Sequence, residues 1–185
     1  MNRCNWGKTL LTSEIYQNYH DYEWGIPSHD DRHLFEMLVL ESFHVGLSWL
    51  IILKKREAFK KAFDDFDALK IVNYDENKIN SLLENAGIVR NKGKILATIQ
   101  NAKSYLNVIE EFGSFSKYIW SFTDNKVVFN DCEGIITKSP LSDRVTKDLK
   151  KRGFKYLGSI TVYSYLEAIG VMNNHHKDCF KYIKN

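Results

Sequence analysis

Two prolines in 185 residues, at positions 27 and 140, leave almost nothing to break a helix between them. The intervening residues are mostly good helix formers. From Asp31 to about Phe63 only Gly46 interrupts them, which predicts two consecutive helices. Asp75 then caps a segment with Ile79, Leu82, Leu83 and Ala86 at i, i+3, i+4, i+7 spacing, and Gly87 is placed to stop it. Ile95, Ile99, Ala102, Leu106 and Ile109 mark a further amphipathic helix. Shorter helices are expected from Ser114 to Phe122, near Ser142 to Arg152 and near Ser159 to Ile169. Asp124 to Ser139 reads as irregular, with Val127-Val128-Phe129 its only strand-like run. The expectation is an all-α fold in a single domain, residues 1–185, because no repeat, linker or low-complexity tract divides the chain.

Hydrophobic residues at 44% and charged residues at 26% exclude wholesale disorder. No apolar run reaches the roughly 18 residues of a membrane span, so no membrane partner is expected. The longest candidate, Leu47 to Leu53, is broken by Ser48 and followed by Lys54, Lys55 and Arg56. The first residues carry no apolar signal stretch, and the expected address is cytoplasmic. Three cysteines, at 4, 132 and 179, are too few and too scattered for a disulfide framework. Aromatic residues at 14% suit a site that stacks on something flat. The net charge of +3 is too weak by itself to name nucleic acid as partner.

Four constellations carry possible chemistry. The turn Gly87-Ile88-Val89-Arg90-Asn91-Lys92-Gly93-Lys94 joins two predicted helices, and from Ile88 to Ser104 there are four basic residues and no acidic one. Free N–H groups near a helix start hold phosphate, although a capped helix end with a solvated turn explains the same residues. A second basic stretch runs from Arg144 to Lys155 against one acid, Asp148, and part of it merely complements a helix end. His175 and Cys179 are four apart and on a helix would point to one side, and Cys4 and His20 could complete a tetrahedral Cys2His2 zinc site. His29 and His33 form an equally legal pair by spacing. Finally, Glu41 lies within Leu38-Val39-Leu40-Glu41-Ser42-Phe43, eight residues before Trp49. Such a carboxylate sits either on a wet face or buried with partners, where it could meet a purine edge while the indole stacks on the ring. Walker A, His-Glu-x-x-His and Gly-x-Ser-x-Gly motifs are absent, which removes most support for nucleotide hydrolysis, zinc proteolysis and α/β-hydrolase chemistry.

Taken together, Arg3-Cys4-x-Trp6, Tyr19-His20-Asp21-x-Glu23-Trp24-Gly25-x-Pro27, Leu40-Glu41 with Gly46-Leu47-Ser48-Trp49, Ala86-Gly87-Ile88-Val89-Arg90, Trp120-Ser121-Phe122, Lys150-Lys151-Arg152-Gly153-Phe154-Lys155, Tyr163-Ser164, and His175 with Cys179 resemble the 3-methyladenine DNA glycosylase I family of helix-hairpin-helix glycosylases. The resemblance covers essentially the whole chain. It implies a zinc-tied helical fold, with one structural zinc on Cys4, His20, His175 and Cys179 joining residues of about 1–20 to those of about 171–185. Cys132 becomes a non-ligand and His29 and His33 bystanders. It implies a base pocket of Glu41, Trp49, Tyr19, Tyr16 and Trp6, with Ser164 orienting Glu41. It implies a hairpin element at about 75–109 whose Gly87, Arg90, Lys92, Gly93 and Lys94 touch the DNA backbone. The implied activity is monofunctional hydrolysis of the N-glycosidic bond of 3-methyladenine, with Glu41 as catalytic group. Double-stranded DNA carrying 3-methyladenine is the implied partner, the free base the product, and a monomer the working unit. Ser42-Phe43-His44-Val45 departs from the more polar residues the resemblance leads one to expect, and no catalytic aspartate can be placed. The rival expectations are a non-enzymatic zinc-containing DNA-binding module and a zinc enzyme using His29 and His33.

Overall fold

A computed structural model of the chain describes residues 1–6, 12–129 and 136–183. Its order is α1 (Glu14–Tyr22), α2 (Asp31–His44), α3 (Trp49–Ala62), a 3-10 turn (Asp64–Phe66), α4 (Ala68–Ile71), α5 (Glu76–Glu84), α6 (Lys92–Phe112), α7 (Phe115–Ser121), β1 (Val128–Phe129), α8 (Pro140–Lys151), α9 (Ser159–Ala168) and β2 (Met172–Asn173). Every sequence-predicted helix is present within a few residues of its expected bounds. The all-α expectation needs one correction. Val128 and Phe129 pair in parallel with Met172 and Asn173, a short ladder that ties the irregular stretch to the chain's last segment. Cys132 lies outside the described residues.

The molecule is organised around α2, whose residues from Leu34 to Phe43 are all buried. Helices α3, α6, α7 and α9 pack against it. Its start is held by Asp30, whose carboxylate accepts from the backbone N–H groups of Arg32 and His33 at 2.9 and 3.2 Å. At the same end, the Asp31 carboxylate accepts from the N–H groups of Phe115 and Ser116, so it caps α7. Tyr105 and Tyr165 donate to the Asp31 and Leu34 carbonyls at 2.8 and 3.1 Å, fixing α6 and α9 on the same helix. Gly46 makes the bend into α3 at φ +83°, a conformation that side chains rarely adopt. Gly170 admits the backbone of Ile26 and Pro27, which a Cβ would overlap. That approach lays the segment after α1 along the end of α9.

The junction of α5 and α6 differs from expectation in detail. Gly87 does not terminate α5; the helix ends at Asn85, whose side chain accepts from the Gly87 N–H at 2.8 Å. Lys55 of α3 donates to the Ala86 and Gly87 carbonyls at 2.8 and 3.1 Å. Asn91 then caps α6 by accepting from Lys94 N–H at 3.1 Å. Both turn ends are thus satisfied by protein groups.

Candidate functional site: an aromatic cavity with buried carboxyls beside a thiol–imidazole cluster

Because α2 is buried on all sides from Leu34 to Phe43, Glu41 is buried with it. Glu41 is 3% exposed. Burial raises its pKa, and a bond from Glu41 Oε2 to His44 Nδ1 at 3.2 Å, one helical turn on, opposes the rise. After the Gly46 bend, Trp49 opens α3 and turns its ring back toward α2, where it meets His44 at 5.2 Å between centroids. Tyr19 of α1 closes the other side at 5.4 Å from Trp49. Trp6 and Tyr16, 5.6 Å apart, extend the aromatic wall, and Trp24 stands edge-on to Trp6 at 4.4 Å.

These groups enclose a cavity of about 210 Å³, completed by Ser164 and Glu167 from α9. The indole Nε1 of Trp49 is buried there with no protein partner, a donor left for whatever enters. A broader groove of about 740 Å³ begins at the same Glu41 and His44 and runs past Leu47, Lys138, Tyr156 and Ile160. The cavity therefore communicates with a larger surface channel. A flat, polar-edged molecule entering it would lie among rings and face a carboxylate.

All six residues expected in the pocket are brought together, but one expected relationship is not. The group bonded to Glu41 is His44, whereas Ser164 lines the wall without a bond to it among the described residues. The departure noted at His44 thus supplies the carboxylate's partner, and i, i+3 spacing from Glu41 was the signal for it. Trp24 and Glu167 were also missed as wall residues. Nothing local marks them, because they arrive from α1's end and α9.

The second cluster lies immediately beside the first. Cys4, His20, His175 and Cys179 are all buried, and one ligand atom from each falls within 4.8 Å of the others. The Cys4 Sγ–His175 Nδ1, Cys179 Sγ–His175 Nδ1 and Cys179 Sγ–His20 Nε2 distances are 3.4, 3.5 and 3.6 Å. A tetrahedral Cys2His2 zinc with bonds of about 2.0–2.3 Å has edges of roughly 3.3–3.8 Å, which these three distances match, so the cluster could hold a metal ion. Burial lowers the pKa of His20, and that of His175 to about 4, keeping both imidazoles in the neutral, ligating form. Outer bonds orient the rings: His20 Nδ1 meets Asp21 at 2.8 Å, and Arg3 clasps that carboxylate through Nε and Nη2 at 2.9 and 2.8 Å. Trp6 and Trp24 rest edge-on against His20 and His175 at 4.9 and 4.6 Å, so the cluster buttresses the cavity wall. His29 and His33 do not converge. His29 contacts Ser116, and His33 contacts Ser28 and Glu23.

At the hairpin, Arg90 and Lys92 are exposed and, among the described residues, form no salt bridge; Gly87 and Gly93 are partly buried. Lys94 differs from them in being engaged internally. It is 6% exposed, and its ammonium donates to the Phe43 and Val45 carbonyls at 2.9 and 2.7 Å. The last carbonyls of α2 lack helical partners, and Lys94 satisfies them, which turns its ammonium toward the protein. The second basic stretch is likewise partly internal, since Arg152 pairs with Glu111 and Asp148 and lies over Phe112 and Tyr118.

Comparison with known proteins adds an independent line. A family model described as methyladenine glycosylase matches residues 6–182. The chain is 39% identical over 180 residues to the DNA-3-methyladenine glycosylase of Haemophilus influenzae, covering 96% of each. It is also 39% identical to DNA-3-methyladenine glycosylase 1 of Escherichia coli K12, covering 100% of this chain and 99% of the relative. Among solved structures, 3-methyladenine DNA glycosylase I from Staphylococcus aureus, described for its recognition of 3-methyladenine, aligns at TM-score 0.93 and 41% identity over 100% of this chain and 98% of that one. A tyrosine-to-phenylalanine variant of 3-methyladenine DNA glycosylase I in complex with 3-methyladenine aligns at TM-score 0.93 and 40% identity over the full length of both.

Proposed function

Because the chain belongs to the methyladenine glycosylase family, we propose that its aromatic cavity is where it hydrolyses the N-glycosidic bond of 3-methyladenine in alkylated DNA, the first step of base excision repair. The observation that carries this is Glu41, a buried carboxylate facing a base-sized hollow walled by Trp6, Tyr16, Tyr19 and Trp49. A base stacked in duplex DNA cannot reach such a hollow, so the nucleotide is flipped out of the helix. Methylation at N3 leaves the ring cationic. The base then departs neutral, taking the bonding electron pair to its own ring nitrogen, and needs no general acid.

The protein's work is therefore recognition and charge placement. Trp49 presents a π face to the cationic ring, an interaction worth roughly 2 kcal/mol or more when desolvated. Ionised Glu41, steadied by His44, accepts from the exocyclic amine and faces the positive charge that passes to the sugar as the bond breaks. Water completes the substitution. An unmethylated adenine brings no charge to compensate the buried carboxylate, which disfavours it. Arg90 and Lys92, exposed on the α5–α6 turn, hold the DNA backbone in a helix-hairpin-helix manner without reading sequence. Cys4, His20, His175 and Cys179 hold one structural zinc, which fastens the chain's two ends behind the pocket and takes no part in the chemistry.

The test is release of free 3-methyladenine from methylated duplex DNA by wild type and Glu41→Gln. Wild type should release it. The variant keeps the shape without the charge and should lose at least tenfold in single-turnover rate, together with discrimination against neutral bases. A wild-type protein that binds the duplex and releases nothing is a binding module, and the reading fails.

A further inference from the structure

The cavity contains a second carboxyl. Glu167 enters it from α9 opposite Glu41. Its backbone is pinned, since its carbonyl accepts from the N–H groups of Gly25 and Gly170 at 2.9 and 3.1 Å. Its side chain is aimed by Asn174, whose Nδ2 donates to Glu167 Oε1 at 2.6 Å and to the Tyr163 hydroxyl at 2.8 Å. Oε1 is thereby committed as an acceptor. Oε2 has no bond among the described residues, so a proton on this carboxyl resides there. Burial pushes the Glu167 carboxyl up to about 8, the bond from Asn174 opposes the rise, and the charge of Glu41 adds to it.

The other groups facing it do not supply a compensating cation. From α1 come the phenols of Tyr16 and Tyr19, and from α2 Glu41 with His44, which is already engaged by Glu41. The Glu23 charge acts on Tyr19, and Asn174 also donates to the Tyr163 hydroxyl at 2.8 Å.

We infer that Glu167 is a second base-recognition residue, which donates a carboxylic-acid hydrogen bond from Oε2 to an acceptor nitrogen of the purine while Glu41 accepts from the exocyclic amine. This rests on the glycosylase reading above and adds a donor to it. Two carboxyls in opposite protonation states match the alternating donor and acceptor edge of an adenine-type ring. One ionised group in the site balances a bound cationic base, whereas two would leave that complex with a net buried negative charge.

The experiment titrates free 3-methyladenine into wild type, Glu167→Gln and Glu167→Ala, following tryptophan fluorescence at pH values from 6.5 to 9.5. Loss of the Oε2 proton removes the donor, so wild-type affinity should fall about tenfold as pH rises through about 8. Glu167→Gln keeps an uncharged donor and should bind with a flat profile over that range. Glu167→Ala should bind about tenfold more weakly than wild type at pH 6.5, also without the pH step. The ligand's own titration is common to all three proteins and cancels in the comparison. A wild-type profile that is flat, or that Glu167→Gln reproduces unchanged, overturns the assignment of Glu167 while leaving the pocket intact. Absence of saturable binding by wild type at every pH overturns the glycosylase reading itself.

Discussion

His44 stands one turn beyond Glu41, where α2 emerges half-buried from the core, and its Nδ1 contact at 3.2 Å is the bonding interaction of that carboxylate among the described residues. Burial favours the protonated acid; the histidine favours the ion. Removing the histidine therefore raises the Glu41 pKa further. Since the ionised form is the one that faces a cationic base, His44→Ala should move the acid limb of the pH–rate profile for base release to higher pH. An unmoved acid limb would show that His44 only fills space. Trp49 is separable by its readout. Trp49→Ala should weaken free-base binding by roughly 1–3 kcal/mol, the usual cost of truncating a stacking aromatic. Titration calorimetry with 3-methyladenine checks it, and wild-type affinity in the variant would mean that the base stacks elsewhere.

At the scale of elements, two lysines two residues apart on one turn have opposite assignments. Lys92 is exposed, whereas the Lys94 ammonium is spent on the final carbonyls of α2. Lys92→Ala should leave thermal stability unchanged, weaken binding to all duplexes alike and reduce the salt dependence of log K by about one charge. Lys94→Met should strand the buried Phe43 carbonyl, leave the Val45 carbonyl to solvent, lower stability by about 1–3 kcal/mol and leave the salt slope unchanged. A parallel loss of salt dependence in both variants would refute the distinction. Sequence reasoning could not make it, because a lysine in a basic run reads as solvent-facing until the fold brings α2's end alongside α6. The same limit explains other misses. Asn85 rather than Gly87 ends α5, since a side-chain cap competes with glycine and the pattern alone does not choose. Glu167 reaches the pocket only through the docking of α9. What was legible was local: the Gly46 break, the Asp75 start, and the apolar spacing of α5 and α6. Helix α2 was readable from its lack of breakers, though its all-round burial erases the amphipathic signature.

For the molecule as a whole, the two ends of the chain meet behind the cavity. Cys4 and His20 come from one end and His175 and Cys179 from the other, and the Phe180 N–H donates to the Asn2 carbonyl at 2.9 Å beside them. A metal there closes a loop spanning nearly the whole chain, and its binding free energy becomes folding free energy. Because Trp6 and Trp24 lean on the imidazoles of His20 and His175, an ion held there would also steady one wall of the base cavity. Purified protein should carry one zinc per chain, and the double variant Cys4→Ala, His175→Ala should carry none. Its melting temperature should fall by about 10 °C, which corresponds to a loss on the order of 3–4 kcal/mol for a chain of this length. Held below that temperature, the folded variant should bind free 3-methyladenine several-fold more weakly, since Trp6 loses its backing, and should still cleave what it binds. Elemental analysis finding no zinc in wild type, or zinc retained by the double variant, would remove the metal from these four residues. Cleavage abolished in a folded, base-binding variant would instead make the ion part of the chemistry, against the buried and closed geometry of its ligands.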